Sequence, residues 1–164
     1  MKRIRLVSIV AALAMLLLFT GCKKEEAAAV VAAPLNSPAS MTDDNGWKAY
    51  FQDVIGRNSQ GVTDRSIAYY LPAPGGAEYE GKYGRQMDGV KDVVARGVLP
   101  GNLMAFMSPD STKMADLIVE AFKGASAGSM KGVIVLFVGK AADNDRVKAA
   151  VAPTAATYRF VEAK

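Results

Sequence analysis

The sequence predicts a single small three-layer α/β domain: a mostly parallel sheet of about four strands, with helices on both faces. Three observations lead there. Segments whose apolar residues recur at helical spacing alternate with short apolar runs. One of those runs, Val133–Val138, is apolar at every position, as in a central strand covered on both sides. The connections between runs are long enough to hold the helices that parallel strands need as crossovers. The stretch 46–164 suffices for one such domain.

The elements follow in order. Trp47, Tyr50, Phe51, Val54 and Ile55 repeat every 3.6 residues behind the possible caps Asp44 and Asn45, which predicts a first helix. Ser66–Leu71 reads as a strand ended by Pro72-Ala73-Pro74-Gly75-Gly76. Tyr83, Met87, Val90 and Val94 mark a second helix, which Gly97 closes, although Gly84 and Gly89 weaken it. Leu103–Met107 is a second strand. Ser108 as N-cap and Pro109 at the first position then start a helix whose buried stripe is Met114, Leu117, Ile118, Ala121 and Phe122. After the loop 124–128 come the strand Val133–Val138, a short helix over Asp143–Val151 stopped by Pro153, and a last strand, Tyr158–Glu162. Strand order is not legible in this pattern.

The N-terminus has a different character. Lys2, Arg3 and Arg5 precede an apolar run, Leu6–Phe19, broken only by Ser8. That run suits a signal h-region and falls short of the roughly 20 residues a spanning helix needs. Thr20-Gly21 then leads into Cys22, the one cysteine of the chain. This arrangement resembles the signal peptide and cleavage site of bacterial lipoproteins. The resemblance covers residues 1–22 alone. It implies a signal peptide over 1–21, a mature chain beginning at a lipidated Cys22, and a membrane anchor made of acyl chains. More than one chain is needed for firm attachment. Lys23, in place of Asp, implies the outer membrane, with the domain facing the periplasm. Residues 23–45 are rich in Ala, Pro, Ser and Asn and carry no aromatic residue, so 22–45 is expected to be a lipidated cysteine and flexible tether. As a coil it would reach roughly 25 Å.

Composition narrows the chemistry. The formal charge of +4 misleads, because removing Lys2, Arg3 and Arg5 from the 20 basic residues leaves 17 against 16 acidic ones. A nearly neutral mature chain gives no reason to expect nucleic acid. The absence of histidine removes Ser-His-Asp and Cys-His catalysis and His-containing zinc sites. A serine with Lys140, or a tyrosine with a carboxylate, is the best catalytic set available, and neither has a diagnostic spacing.

Ligands of open α/β sheets sit beyond the carboxyl ends of the strands. Three loops are expected there: 72–85, 108–111 and 139–146. They supply the candidate binding residues Tyr69, Tyr70, Tyr79, Tyr83, Arg85, Ser108, Ser111 and Lys140. Tyrosine and arginine favour contact surfaces, since they offer large area or a planar donor fork at small entropic loss. Asp143 and Asp145 have the spacing of a cation pair, but also that of helix-start residues, and the latter reading is preferred. Residues 124–131 lack the Gly-Lys-Ser/Thr ending of a phosphate loop. Met104 and Met107 are read as core, in preference to a copper site. No cofactor and no metal are therefore expected. The resulting expectation is a non-enzymatic, lipid-anchored envelope protein that binds a protein partner in an accessory or immunity-type role. The alternative is a small molecule or anion held at the strand ends.

Overall fold

The structure, a computed structural model, describes residues 33–164 as one compact unit, Ala33–Lys164. The signal segment 1–21, Cys22 and the first part of the expected tether lie outside the described residues. Among the described residues no helix is long and apolar enough to cross a membrane.

Among the described residues four helices and four strands alternate: α1 (Asp44–Arg57), β1 (Ser66–Tyr70), α2 (Tyr79–Arg96), β2 (Leu103–Met107), α3 (Ser111–Phe122), β3 (Ile134–Gly139), α4 (Ala141–Val151) and β4 (Thr157–Glu162). A 3-10 turn, Ala152–Thr154, carries Pro153 between α4 and β4. All neighbouring strands are parallel and their order is β1-β2-β3-β4. The expected α/β domain is therefore present, with helices on both faces.

That order decides how the layers are filled. Each crossover steps one strand in the same direction, so connections of one hand place α2, α3 and α4 on one face. Their buried residues meet Met104, Phe106, Val135 and Phe137 there. Among the described residues only α1, which precedes the sheet, is left for the other face. Its Trp47, Tyr50, Phe51 and Val54 cover Leu103, Ala105, Met107, Ile134, Leu136 and Val138. β2 and β3 are buried at every position and β1 and β4 are not, as their central and outer places require. Met104 and Met107 are wholly buried on opposite sides of the sheet, so they cannot share one metal ion.

Local chemistry moves several element starts. α1 is capped by Asp43, whose carboxylate accepts from Gly46 N at 2.9 Å, one residue before the expected caps. α2 begins at Tyr79, a full turn earlier than its apolar stripe announces. It contains Gly81, Gly84 and Gly89, each of which costs about 1 kcal/mol against alanine in a helix interior. The cap of α3 is Asp110, not Ser108, and it accepts from Lys113 N at 3.1 Å. Ser108 Oγ instead accepts from Asp110 N at 3.1 Å, so Ser108-Pro109 makes the turn before the helix. A carboxylate three residues ahead of a free amide is the stronger acceptor, and it wins the cap.

The folded unit also begins earlier than position 46. Leu35 N donates to Asp53 Oδ2 at 3.1 Å, Trp47 Nε1 donates to Ser40 O at 2.9 Å, and Ser37 Oγ donates to Lys164 O. The last part of the segment expected as tether is thus fastened to α1 and to the C-terminus.

Candidate functional site

The eight candidate residues fall into two groups. Ser108, Ser111 and Lys140 stand at the carboxyl ends of β2 and β3. There Ser111 Oγ donates to Asp143 Oδ2 at 2.7 Å and accepts from Lys140 N at 2.8 Å. Gly139 makes that approach feasible, since a Cβ on it would lie 2.5 Å from Ser111 Oγ. Thr112 Oγ1 donates to the same carboxylate oxygen at 3.4 Å. Arg146 holds Oδ1 of Asp143 with Nε at 3.0 Å and Nη2 at 2.7 Å, and it also reaches Asp116 and the carbonyl of Thr112.

Burial pushes the Asp143 carboxyl up, but the bonds from Ser111 and Arg146 outweigh it and leave it below its ordinary value. Asp143 is therefore an ionised, saturated strut between the first turns of α3 and α4. Ser111 is buried, and its oxygen is already engaged as both donor and acceptor. The Asp143 carboxylate beside it is itself held by Arg146 and Thr112, and little of Ser111 is open to solvent. Ser108 is buried as well, and the Lys140 side chain is exposed, so these three residues form no shared hollow. Among the described residues, no three His, Cys, Asp or Glu side chains are grouped to hold a metal ion. The segment 124–131 lies between α3 and β3, and its Gly128 and Met130 amides donate to the carbonyls of Pro153 and Thr154. Those amides are thus occupied in holding the α4–β4 turn.

The tyrosines and Arg85 lie elsewhere, along the flank where β1 and α2 run side by side. Tyr69 and Tyr70 point to opposite faces. The Tyr69 ring stacks on Phe106, with centroids 4.8 Å apart and planes 11° from parallel. Tyr70 turns towards α1, where Lys48 Nζ sits 5.6 Å from its ring centre. Its hydroxyl is buried beside the Asp44 carboxylate. Burial, and then the approach of its hydroxyl to the Asp44 carboxylate as a hydrogen-bond donor, push Tyr70 well above the usual tyrosine value.

Tyr69, Tyr70, Leu71 and Pro72 form one wall of a groove of about 430 Å³; Lys82, Arg85, Gln86 and Gly89 of α2 form the other. A second hollow of about 250 Å³ continues the flank towards the amino end of β1, between Ile67 and Val93, Arg96, Val98 and Leu99. A third, of about 340 Å³, shares Pro72 and Lys82 with the first and has Tyr79 in its wall. Tyr79 is buried beneath it. Burial, then the Asp110 charge, push its hydroxyl up to about 12. Tyr83 packs on the core side of α2, where Lys113 Nζ lies 6.0 Å from its ring centre.

Of the sequence candidates, Tyr69, Tyr70 and Arg85 share the groove and Tyr79 adjoins it. Ser108, Ser111, Tyr83 and Lys140 do not line it. The sequence carried a signal for the residues that the list of candidates omits. Lys82, Arg85, Gln86, Gly89, Val93 and Arg96 recur at helical spacing beside the apolar stripe Tyr83, Met87, Val90 and Val94, and so form a second face of α2.

Four of the five buried side-chain polar atoms that lack a hydrogen-bond partner among the described residues belong to Asp44, Tyr70, Tyr79 and Gln86, all near the carboxyl end of β1. Buried polar atoms are normally paired, so this is where the molecule's polar groups are least satisfied. No protein-family model, curated protein or solved structure matches this chain.

Proposed function

We propose that this chain is a lipid-anchored protein of a bacterial envelope, held through Cys22 at the outer membrane and facing the periplasm. Its domain binds a partner protein on the flank formed by β1 and α2. The observation that carries the binding reading is the groove itself, where aromatic rings, Lys82 and Arg85 meet on an open surface above buried, incompletely paired polar atoms. Aromatic and arginine side chains in such a setting are the usual anchors of protein contacts. A small molecule gripped jointly by Tyr70, Arg85, Ser108 and Lys140 is not favoured, because these residues do not line one hollow. The lipid anchor rests on the resemblance of residues 1–22 to lipoprotein signals.

Two measurements test the reading. A Cys22→Ser variant should leave the membrane fraction and lose its acyl mass; retention in that fraction with no change in mass would remove the anchor. A photo-crosslinking residue at Gln86 should yield a discrete adduct in envelope preparations, and one at Lys131, at the opposite end of the strands, should not. Equal labelling from both positions, or none from Gln86, would remove the binding flank.

A further inference from the structure

β1 is an outer strand, and its free edge is set up to pair. Leu103 N donates to Arg65 O at 2.9 Å, and Leu71 N donates to Met107 O at 3.1 Å. In a parallel ladder every second residue faces the same neighbour, so Arg65, Ile67, Tyr69 and Leu71 turn their backbone groups to β2. Ser66, Ala68 and Tyr70 turn theirs outward. Ser66 and Ala68 are exposed, because α1 covers β2 and β3 and does not extend over the start of β1. Natural sheets usually blunt an open edge with a bulge, a proline or an inward charge. Ser66–Tyr70 has none of these. Beside this edge runs the second face of α2, leaving a channel about 20 Å long, the length of about six strand residues.

Resting on the partner-binding reading above, we propose that this channel takes up an extended, acidic segment of the partner as a fifth strand beside β1. The charges lining it select the occupant. Arg65 is 3.8 Å from Asp64 and Lys82 pairs with Glu78 at 3.2 Å, but among the described residues Arg85 and Arg96 make no ion pair. Asp64 is itself tied to Asn102, whose Nδ2 donates to it at 3.0 Å. The channel therefore carries excess positive charge on both sides of an apolar middle. An added strand would place alternate side chains towards α2, where the two hollows receive apolar groups and the flanking cations receive carboxylates. Its main chain would satisfy the outward groups of Ser66, Ala68 and Tyr70.

The test uses the full chain purified in detergent and three labelled octapeptides in which every second residue is Ser: one whose intervening residues run Glu, Val, Val, Glu (the Val-Glu peptide), one with Lys in place of each Glu, and the Val-Glu peptide with a central proline. Fluorescence anisotropy should give the Val-Glu peptide at least tenfold tighter binding than either of the others. On its addition, amide exchange at Ser66, Ala68 and Tyr70 should slow at least tenfold, while Ile67 and Tyr69, already bonded to β2, change little. Ala68→Pro removes one outward N–H and leaves the ladder intact, so it should abolish binding. The doubly reversed Arg85→Glu, Arg96→Glu variant touches no backbone and should invert the Glu-over-Lys preference.

Binding that leaves the three outward amides unprotected would overturn strand addition, even if Gln86 still crosslinks to a partner. So would protection of those amides by a concentration-dependent dimer, which would make a second copy the occupant. A missing Gln86 adduct with the peptide results intact would instead count against the wider reading and leave the pairing edge standing.

Discussion

The two outer strands have the same neighbours in number and opposite finish. β4 is fastened on both faces by side chains. Tyr158 donates its hydroxyl to Asn144 Oδ1 at 3.0 Å on the side of α4, and Arg159 reaches the carbonyls of Asn58 and Gln60 at the end of α1. β1 has no such fastenings among the described residues. Tyr69 only stacks, Ser66 and Ala68 lie open, and the Tyr70 hydroxyl is buried unpaired. Both strands keep outward backbone groups that the sheet does not pair, but β4 is tied down by its own side chains and β1 is not. The difference teaches where to look for a partner, since an outer strand alone does not mark a binding surface.

The comparison can be broken most forcibly at the centre. Phe106 is fully buried beneath Tyr69 and touches Phe122 edge-on. Phe106→Ala should cost about 3–5 kcal/mol in urea unfolding, because it leaves a cavity and deprives β1 of its aromatic support. A loss below about 1.5 kcal/mol would mean that β1 is anchored by something else.

The next effect belongs to the strut between α3 and α4. Asp143→Asn should cost about 2–3 kcal/mol, the scale of hydrogen bonds to a buried charge. Its pH dependence has a definite sign. The folded carboxyl is depressed, so its contribution is full above the unfolded value of about 3.9 and disappears as pH falls through the lower folded value. The wild-type protein should therefore lose stability below about pH 4, and the variant should show a flatter acid limb. An identical limb in both would assign the titration to another group.

The smallest effect discriminates the two edges directly. Tyr158→Phe should cost about 1 kcal/mol by removing a made hydrogen bond. Tyr70→Phe removes an unmade one and should stay within about 0.5 kcal/mol of wild type. The reverse ranking in thermal unfolding would mean that β1 is the better-finished edge.

Much of the fold was legible in the sequence because burial on this sheet is so uneven. The all-apolar Val133–Val138 announced a covered strand, and the stripe of α3 announced its buried face. Strand order was not legible, since a pattern of alternating strands and helices is the same whichever side each new strand joins. The site was read less well for a related reason. Ser108, Ser111 and Lys140 were placed by analogy with sheets whose strand order reverses, opening a crevice. Here the order never reverses, and the short polar side chains at the strand ends bond to one another. Tyr69, Tyr70 and Arg85, chosen because their chemistry suits contact, do line one groove. Lys82 lies within the loop expected at 72–85, whereas Gln86 and Gly89 fall beyond it, on a face of α2 that the apolar stripe does not mark.

The steady march of strands from first to last has a kinetic consequence. Every strand docks on the one synthesised just before it, across a single helical excursion, so no pairing awaits a distant part of the chain. A topology this local has low contact order and closes its loops cheaply, which favours rapid, vectorial assembly from the amino end. α1 is the exception. Its apolar stripe has no surface to rest on until β2 and β3 are laid side by side, so the first helix of the described residues is among the last to be seated.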